Sequence, residues 1–566
     1  RLSEQTPRVL TGAAAIGLRF DLALLEEVGG DPDAVLDALD ESESAQLVKA
    51  LPGRRHPRYE FAHALVRHAL LDKLSMPRLQ RLHLDVAAAL ERLEGERIDD
   101  HAPVMAHHLY EAGGRADAGR TRRFLRVAGE QAAATAAYDE ALAFYDRALS
   151  LGRTMDEHER ARLTYLRGVA KRALPDWEGA AADWLFALPT LEAEGRTETV
   201  GRIYRELVYQ KTWTHEYEEA QAIAERGLRS IGSAPTAERC RLLACYAHAN
   251  SCGGDFERAE ALNNEAITLA EQLDDPRLLG GEVLLARVYQ YEHSLNGRPM
   301  VETGERAIEL VREHGSRWEL TSTVGAILIG LALRGRYDRA ETLRQEIEEL
   351  AEREGNIGAT LHCLGSVCTN AFARGDLDAM AASATEMISH CELYGLPWSS
   401  YGHAFMSMTC LYAGDWSAAR EHALESFRLG VGGGSHLGAE PSFGLIVLAT
   451  IGDEEAEVRY RSDFLLPTPD VQNGHGAWNW MLARIEAGVL LGHADEAAAL
   501  YPLVVQFRAQ GVVEGWGLGL VDRYAGIAAA AGGDWERAEA HFSEALALAE
   551  SLPHRVEAAT TREWLA

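Results

Sequence analysis

From about residue 120 to the end, apolar residues recur three and four apart in blocks, and the blocks come in pairs. Ala538, Phe542, Ala545 and Ala549 are separated by four, three and four. Tyr138, Ala141, Tyr145 and Ala148 follow the same rhythm. Such spacing draws one apolar stripe along a helix. Between blocks stands a recurring punctuation: Gly, often Asp, often an aromatic, two mostly polar residues, then usually Ala. Clear copies are Gly254-Asp255-Phe256, Gly335-Arg336-Tyr337, Gly375-Asp376-Leu377, Gly414-Asp415-Trp416 and Gly533-Asp534-Trp535. Glycine adopts the left-handed conformation that closes a helix at little cost, so each copy predicts the end of a helix A and the start of a helix B. In the last pair, helix A is predicted from about Trp516 to Ala531 and helix B from near Trp535.

The marker residue of this punctuation falls at Ala141, Ala180, Ala220, Ala259, Met300, Ala340, Met380, Ala419, Ala456, Ala497 and Ala538, spaced by 37 to 41 residues. A fixed period of this size predicts an array of stacked units, each too thin to bury its own apolar face. About eleven helix pairs are expected over residues 116–566, those near Met300 and Ala456 being degenerate. The order Gly526, Ala538, Phe542, Ala545, and likewise Gly129, Ala141, Tyr145, Ala148, resembles the tetratricopeptide repeat. The unit of about 40 residues is longer than that family's usual one and is similar to the variant array of bacterial regulators related to the maltose-operon activator. The resemblance implies an all-α fold, a right-handed superhelix with helices A on its concave side.

Residues 1–115 break the rhythm and predict a separate domain. Thr6-Pro7 reads as a capping hydroxyl before a helix to about Ile16, and Asp31-Pro32 as a second such start. A helix is expected over Phe20 to Val28, and others at about Ala62 to Leu74, Pro77 to Leu93 and Ala102 to Ala112. Gln46 to Ala50 and Arg58 to Phe61 flank a turn and predict a hairpin with a basic tip, Arg54-Arg55-His56 with Arg58. Helices around a short hairpin suggest a winged helix. The string Tyr59 to Leu71, with Arg81-Leu82-His83, His107 to Gly113 and the array, looks like the region that follows the nucleotide-binding core in signal-transduction ATPases with numerous domains. That resemblance implies a sensor or scaffold coupled to a nucleotide switch, with ATP or ADP and Mg held in an upstream domain. It leaves the output open: a class III adenylate or guanylate cyclase, a LuxR-type transcription activator, or a kinase. Because the sequence starts at Arg1, a fragment of such a protein is expected.

Composition narrows the chemistry. A net charge of −30 argues against an autonomous nucleic-acid surface. No apolar run is long enough to span a bilayer and no leader is evident, so a cytoplasmic protein is expected. A P-loop needs Gly-Lys-Ser or Gly-Lys-Thr, and none of Lys49, Lys73, Lys171 and Lys211 follows a glycine. No hydrolase or zinc-protease motif is present, so no enzyme and no cofactor of its own are expected of this chain. The seven cysteines lack disulfide or zinc spacing and read as packing residues. His107 and His108 are adjacent on a helix and read as a poor metal pair. The run Gly430 to Ser435 reads as a flexible connector between units.

Two sets of candidate residues remain. His63, with Arg67 one turn later, is expected by the resemblance to sense bound nucleotide. Trp318, Trp398, Trp478 and Trp516 precede their markers by 22, 21, 19 and 22 residues and so are placed at the openings of helices A. With Tyr401, His403 and Trp480 nearby, they suggest an aromatic rim for a small molecule, peptide or protein partner, and ligand-dependent self-association. The alternative for these rings is packing between adjacent units.

Overall fold

The computed structural model describes residues 3–52, 57–430, 434–552 and 554–566. The chain divides into two compact units, Arg1–Arg196 and Thr197–Ala566.

The first unit opens with α1 (Thr6–Ile16), β1 (Arg19–Asp21), α2 (Leu22–Gly29), α3 (Pro32–Ser44), β2 (Val48–Leu51), β3 (Arg58–Phe61) and α4 (Ala64–Leu71). The strands form one antiparallel sheet in the order β1-β3-β2. The hairpin expected from sequence is β2–β3. The third strand, β1, takes Phe20 out of the helix expected there. Three residues are too few to display a period of two, and Phe20 earns its place by pairing with Tyr59 and packing against Phe61. Val9, Leu10, Leu25, Val35, Leu39 and Phe61 close the core beneath. Asp31 caps α3 by accepting from the Asp33 amide. Thr6 does not cap α1: its buried hydroxyl donates instead to Glu41 of α3. The basic tip Arg54-Arg55-His56 lies outside the described residues, and Arg58 beside it pairs with Asp21 at 2.9 Å.

The unit continues through α5 (Met76–Glu94), α6 (Ala102–Glu111) and two helix pairs, α7 (Ala118–Ala134) with α8 (Tyr138–Ser150) and α9 (Glu157–Ala173) with α10 (Trp177–Ala193). Sequence reading put a boundary near residue 115. Packing runs through it, because Val86 and Leu90 of α5, Met105 of α6, Phe124 of α7 and Tyr145 of α8 belong to one core.

The second unit is a succession of helix pairs. They are α11 (Thr197–Trp213) with α12 (Tyr217–Ile231), and α13 (Ala237–Gly253) with α14 (Phe256–Gln272). Next, α15 (Pro276–Leu278) passes through a π-helical stretch, Leu279–Leu284, into α16 (Leu285–His293), which pairs with α17 (Gly297–His314). The succession goes on with α18 (Arg317–Leu333) and α19 (Tyr337–Glu354), α20 (Ile357–Arg374) and α21 (Leu377–Tyr394), α22 (Ser399–Ala413) and α23 (Trp416–Leu429), and α24 (Ala439–Thr450) and α25 (Glu455–Tyr460). It ends with α26 (His475–Leu490), α27 (Ala494–Ala499), α28 (Tyr501–Ala509), α29 (Val521–Ala531), α30 (Trp535–Ser551) and α31 (Arg555–Leu565).

The punctuation now has a physical account. Gly375, Gly414 and Gly533 sit at positive φ at the ends of first helices. The Asp that follows each accepts from the backbone amide three residues on: Ala379 for Asp376, Ala418 for Asp415, Arg537 for Asp534. Each cap satisfies an orphan donor and contributes about 1 kcal/mol. The small residue of the signature has an equally direct cause. A Cβ added at Gly129 would lie 2.5 Å from the Tyr145 ring, and one at Gly526 would lie 2.7 Å from Phe542.

Two segments of the second unit depart from the repeat and close its inner side. Gly434–His436 is a turn with Ser435 and His436 buried, and Ser435 reaches His293, 142 residues away in sequence. This described part of the glycine run is therefore a packed element rather than a flexible connector. Residues 510–520 are irregular where the sequence predicted the start of helix A. Gly517 and Gly519 take positive φ there, and Trp516 does so at 46°. The Val513 amide donates to Leu333 O at 2.8 Å, and Gly511 O accepts from Arg334. At the end of the unit the Arg523 guanidinium is buried between Glu486, at 2.8 Å, and Glu557, at 3.0 Å. Among the described residues no helix is long and apolar enough to cross a membrane.

Candidate functional site

The first helices of successive pairs in the second unit turn one face toward a shared cavity of about 130 Å³. Tyr209 and Trp213 come from α11, His248 and Cys252 from α13, Tyr289, Glu292 and His293 from α16, and His362 from α20. Trp398 caps α22, where Tyr401 lies one turn in, and Trp516, His436 and His475 complete the opposite side. The volume is far above the ~10–15 Å³ that admits a single water.

The wall is mainly aromatic. Trp398 stacks on Tyr401 with centroids 6.2 Å apart, and Trp516 meets the edge of Tyr401 at 4.9 Å. His248 stacks on Tyr289 at 4.6 Å, and His293 is edge-on to His436 at the same distance. Polar groups are sparse and placed. The Tyr401 hydroxyl is 2.9 Å from His436 Nδ1, and the Ser435 hydroxyl is 3.1 Å from His293 Nδ1. Cys252 Sγ is 3.1 Å from His293 Nε2.

Burial sets the protonation of these groups. It drives His475 down to about 3 and His248 down to about 4. His293 and His436 lie well below the usual imidazole range, first through burial and then through neighbouring imidazoles. All four are neutral at pH 7. Burial also pushes the Cys252 thiol well up, with the Glu292 carboxylate adding to it.

Several buried polar atoms of the wall have no hydrogen-bond partner: Trp398 Nε1, Trp516 Nε1, His436 Nε2, His475 Nδ1, His362 Nδ1 and Glu292 Oε2. Buried polar groups are nearly always satisfied, and each exception asks for an explanation. The positive φ of Trp516 is a second local cost at the same wall.

The residues singled out from sequence separate. Trp398, Tyr401 and Trp516 line the cavity. Trp478 and Trp480 do not: both are fully buried, Trp478 stacked on Phe507 at 4.6 Å and Trp480 against Phe464 at 4.8 Å. Trp318 is 47% exposed near the start of α18. His403 is paired with His422, Nδ1 to Nδ1 at 2.9 Å, away from the cavity wall. The seven share no common rim: three line the cavity, and Trp318, His403, Trp478 and Trp480 do not. His63 is the exposed N-cap residue of α4, and Arg67 Nε donates to Ala14 O of α1 at 2.8 Å. His107 and His108, read as a poor metal pair, are joined by His83 of α5, which meets both, with His83 Nδ1 3.0 Å from His108 Nδ1.

Most of the wall was missed in the sequence, yet it left a signal. Tyr209, His248, Tyr289 and Ile329 occupy equivalent first-helix positions, at steps of 39, 41 and 40. Trp213, Cys252 and His293 form a parallel column, at steps of 39 and 41. Comparing the same position across units, rather than motifs along one unit, picks out aromatic and ionisable residues at five of these seven positions, with Cys252 and the aliphatic Ile329 as the others.

Comparison with known proteins gives fold-level likeness only. No protein-family model matches the chain, and no curated protein matches it. Among solved structures, a signal-transduction ATPase with a tetratricopeptide repeat sensor from Pyrococcus horikoshii is similar at 11% identity and a TM-score of 0.34, over 89% of this chain. This chain covers 65% of that protein's length. A Rap protein complexed with Competence and Sporulation Factor is similar at 14% identity and a TM-score of 0.42, over 64% of this chain and 94% of that one. The APC/C hetero-tetramer Cut9-Hcn1 is similar at 13% identity and a TM-score of 0.37, over 85% and 94%. Overlaps of this depth carry no argument about function. The helical repeat stands on this chain's own helix pairs.

Proposed function

We propose that residues 197–566 form a sensor array whose inner cavity binds a small, largely apolar effector. One observation carries the reading: an aromatic wall that holds several unpartnered polar atoms. Ligand sites combine apolar walls with a few placed polar groups, and this cavity has that composition. The Glu292 carboxylate, with an unpartnered oxygen at the aromatic wall, favours a ligand that carries a hydrogen-bond donor or a positive charge. The chain acts by binding rather than by catalysis. In the finer form of the proposal, residues 1–115 are a winged helix that couples occupancy to a nucleotide switch in a parent signal-transduction ATPase, with His63 facing the nucleotide. An effector shifts such a switch only through different affinities for the two states.

The test is a thermal-shift and tryptophan-fluorescence screen of small aromatic and amine compounds on the full chain. A hit is expected to quench Trp398 or Trp516 and to lose at least about tenfold in affinity in Trp398→Ala, the scale of one buried aromatic contact. Hits that keep full affinity in both Trp398→Ala and Tyr401→Phe reject the cavity. The chain alone is expected to hydrolyse no ATP.

A further inference from the structure

One corner of the cavity wall brings a thiol and two imidazoles together. His248 and Cys252 are four residues apart on α13, hence on one face of the helix. His293 of α16 completes the group, and one ligand atom from each lies within 4.8 Å of the others. Cys252 Sγ and His293 Nε2 are 3.1 Å apart. Tetrahedral zinc, with Zn–S about 2.3 Å and Zn–N about 2.0 Å, holds such a pair about 3.5 Å apart, so adjustment by a few tenths of an ångström suffices. His293 turns its other nitrogen, Nδ1, to the Ser435 hydroxyl, the outer contact that fixes tautomer and ring plane in metal-bound imidazoles. The nearest carboxylate in sequence, Glu292, also borders the cavity and has an unpartnered oxygen.

We infer that His248, Cys252 and His293 form a zinc-class metal site, three protein ligands with a fourth position left to water or to a donor atom of a molecule in the cavity. The ligand set of one thiolate and two imidazoles suits borderline-soft divalent ions and disfavours magnesium or calcium, which take oxygen. Metal entry replaces the Cys252 S–H bond with a metal–sulfur bond and releases that proton to solvent. The ion would join two successive first helices, α13 and α16, at the face they present to the cavity. Among the described residues, the other three-residue groups of this kind, His83–His107–His108 and Asp522–His541–Glu544, contain no sulfur. This makes the proposed site spectroscopically separable, and its test needs no effector.

The experiment titrates the metal-free full chain with Co²⁺, then displaces it with Zn²⁺. A tetrahedral site with one thiolate is expected to give intense visible d–d bands and a near-ultraviolet sulfur-to-cobalt charge-transfer band, saturating at one ion per chain. Cys252→Ser is expected to abolish the charge-transfer band. His248→Gln, at a half-buried position, keeps the sulfur and is expected to weaken binding at least tenfold. Ser435→Ala is expected to weaken it about 10- to 100-fold, the range for outer contacts. Circular dichroism on each variant checks folding, and two independent positions besides Cys252 remain readable if the serine variant does not fold. Cobalt binding without a charge-transfer band, a band that survives Cys252→Ser, or no binding at micromolar metal overturns the proposal.

Discussion

First helices of repeat pairs are covered to different depths, and the most deeply covered lie in the second unit. In α9, five of 17 residues are buried, and the helix presents one stripe to its neighbours. In α20, twelve of 18 are buried, whereas its partner α19 buries five of 18. The same period and the same caps thus give two kinds of helix. What differs is the non-repeat chain laid across the inner side of the second unit. Gly434–His436 and residues 510–520 cover first helices that an open array would leave to solvent. Once covered, those helices must be apolar nearly all round or carry polar groups for a purpose. His248, His293 and His475 of first helices meet His436 of the covering turn at one cavity.

Acid should sharpen this contrast most. A histidine whose folded pKa is depressed leaves the unfolded chain binding the proton first. Stability is then full above about pH 6.5 and falls as pH drops toward the folded value, by at most about 1.4 kcal/mol per pH unit for each residue. His475 and His248, held at about 3 and about 4, act in the second unit together with His293 and His436. His108, at about 3, acts in the first, alongside the more modestly lowered His83 and His107. Hydrogen exchange between pH 7 and pH 5 should therefore show the second unit loosening more steeply. Equal slopes would break the comparison.

Next in size is Arg523→Ala, which leaves Glu486 and Glu557 without their shared cation. A loss of about 3–5 kcal/mol in urea unfolding of the second unit is expected, because an uncompensated buried charge remains. Nearby Glu514 carries the opposite pH sign. Burial raises its carboxyl to about 8, so its contribution is full below about pH 4.5 and fades as pH rises toward 8. Glu514→Gln should flatten that alkaline decline.

Smaller effects test what the units share. Gly129→Ala and Gly526→Ala each drive a methyl group into a ring, and each should cost about 1–3 kcal/mol by denaturant midpoint. Asp176→Ala and Asp534→Ala each remove one cap, at about 1 kcal/mol in the same measurement. If either pair differs strongly between units, the local rules are not common to both.

Legibility in the sequence followed the range of the interaction. Glycine ends, aspartate caps and the small-to-aromatic contact are settled within a few residues or one helix pair, so their spacing could be read directly. Phe20 escaped because its strand exists only through pairing with Tyr59, 39 residues later. Thr6 was misread because Gln5 takes the cap position, and the Thr6 hydroxyl, inside the first turn, donates to Glu41 of α3. The tryptophans divided for the same reason: Trp478 and Trp398 occupy similar places in their units, yet one meets Phe507 and the other a cavity.

The amino-acid sequence by itself determined the period, the helix pairs and their caps, since each depends on neighbours a few positions away. Only tertiary structure decided that Ser435 would meet His293 and that His248, Cys252 and Glu292 would border one space with Trp516. Those meetings join residues up to hundreds of positions apart through segments with no repeat signal, and no local pattern encodes where such segments come to rest.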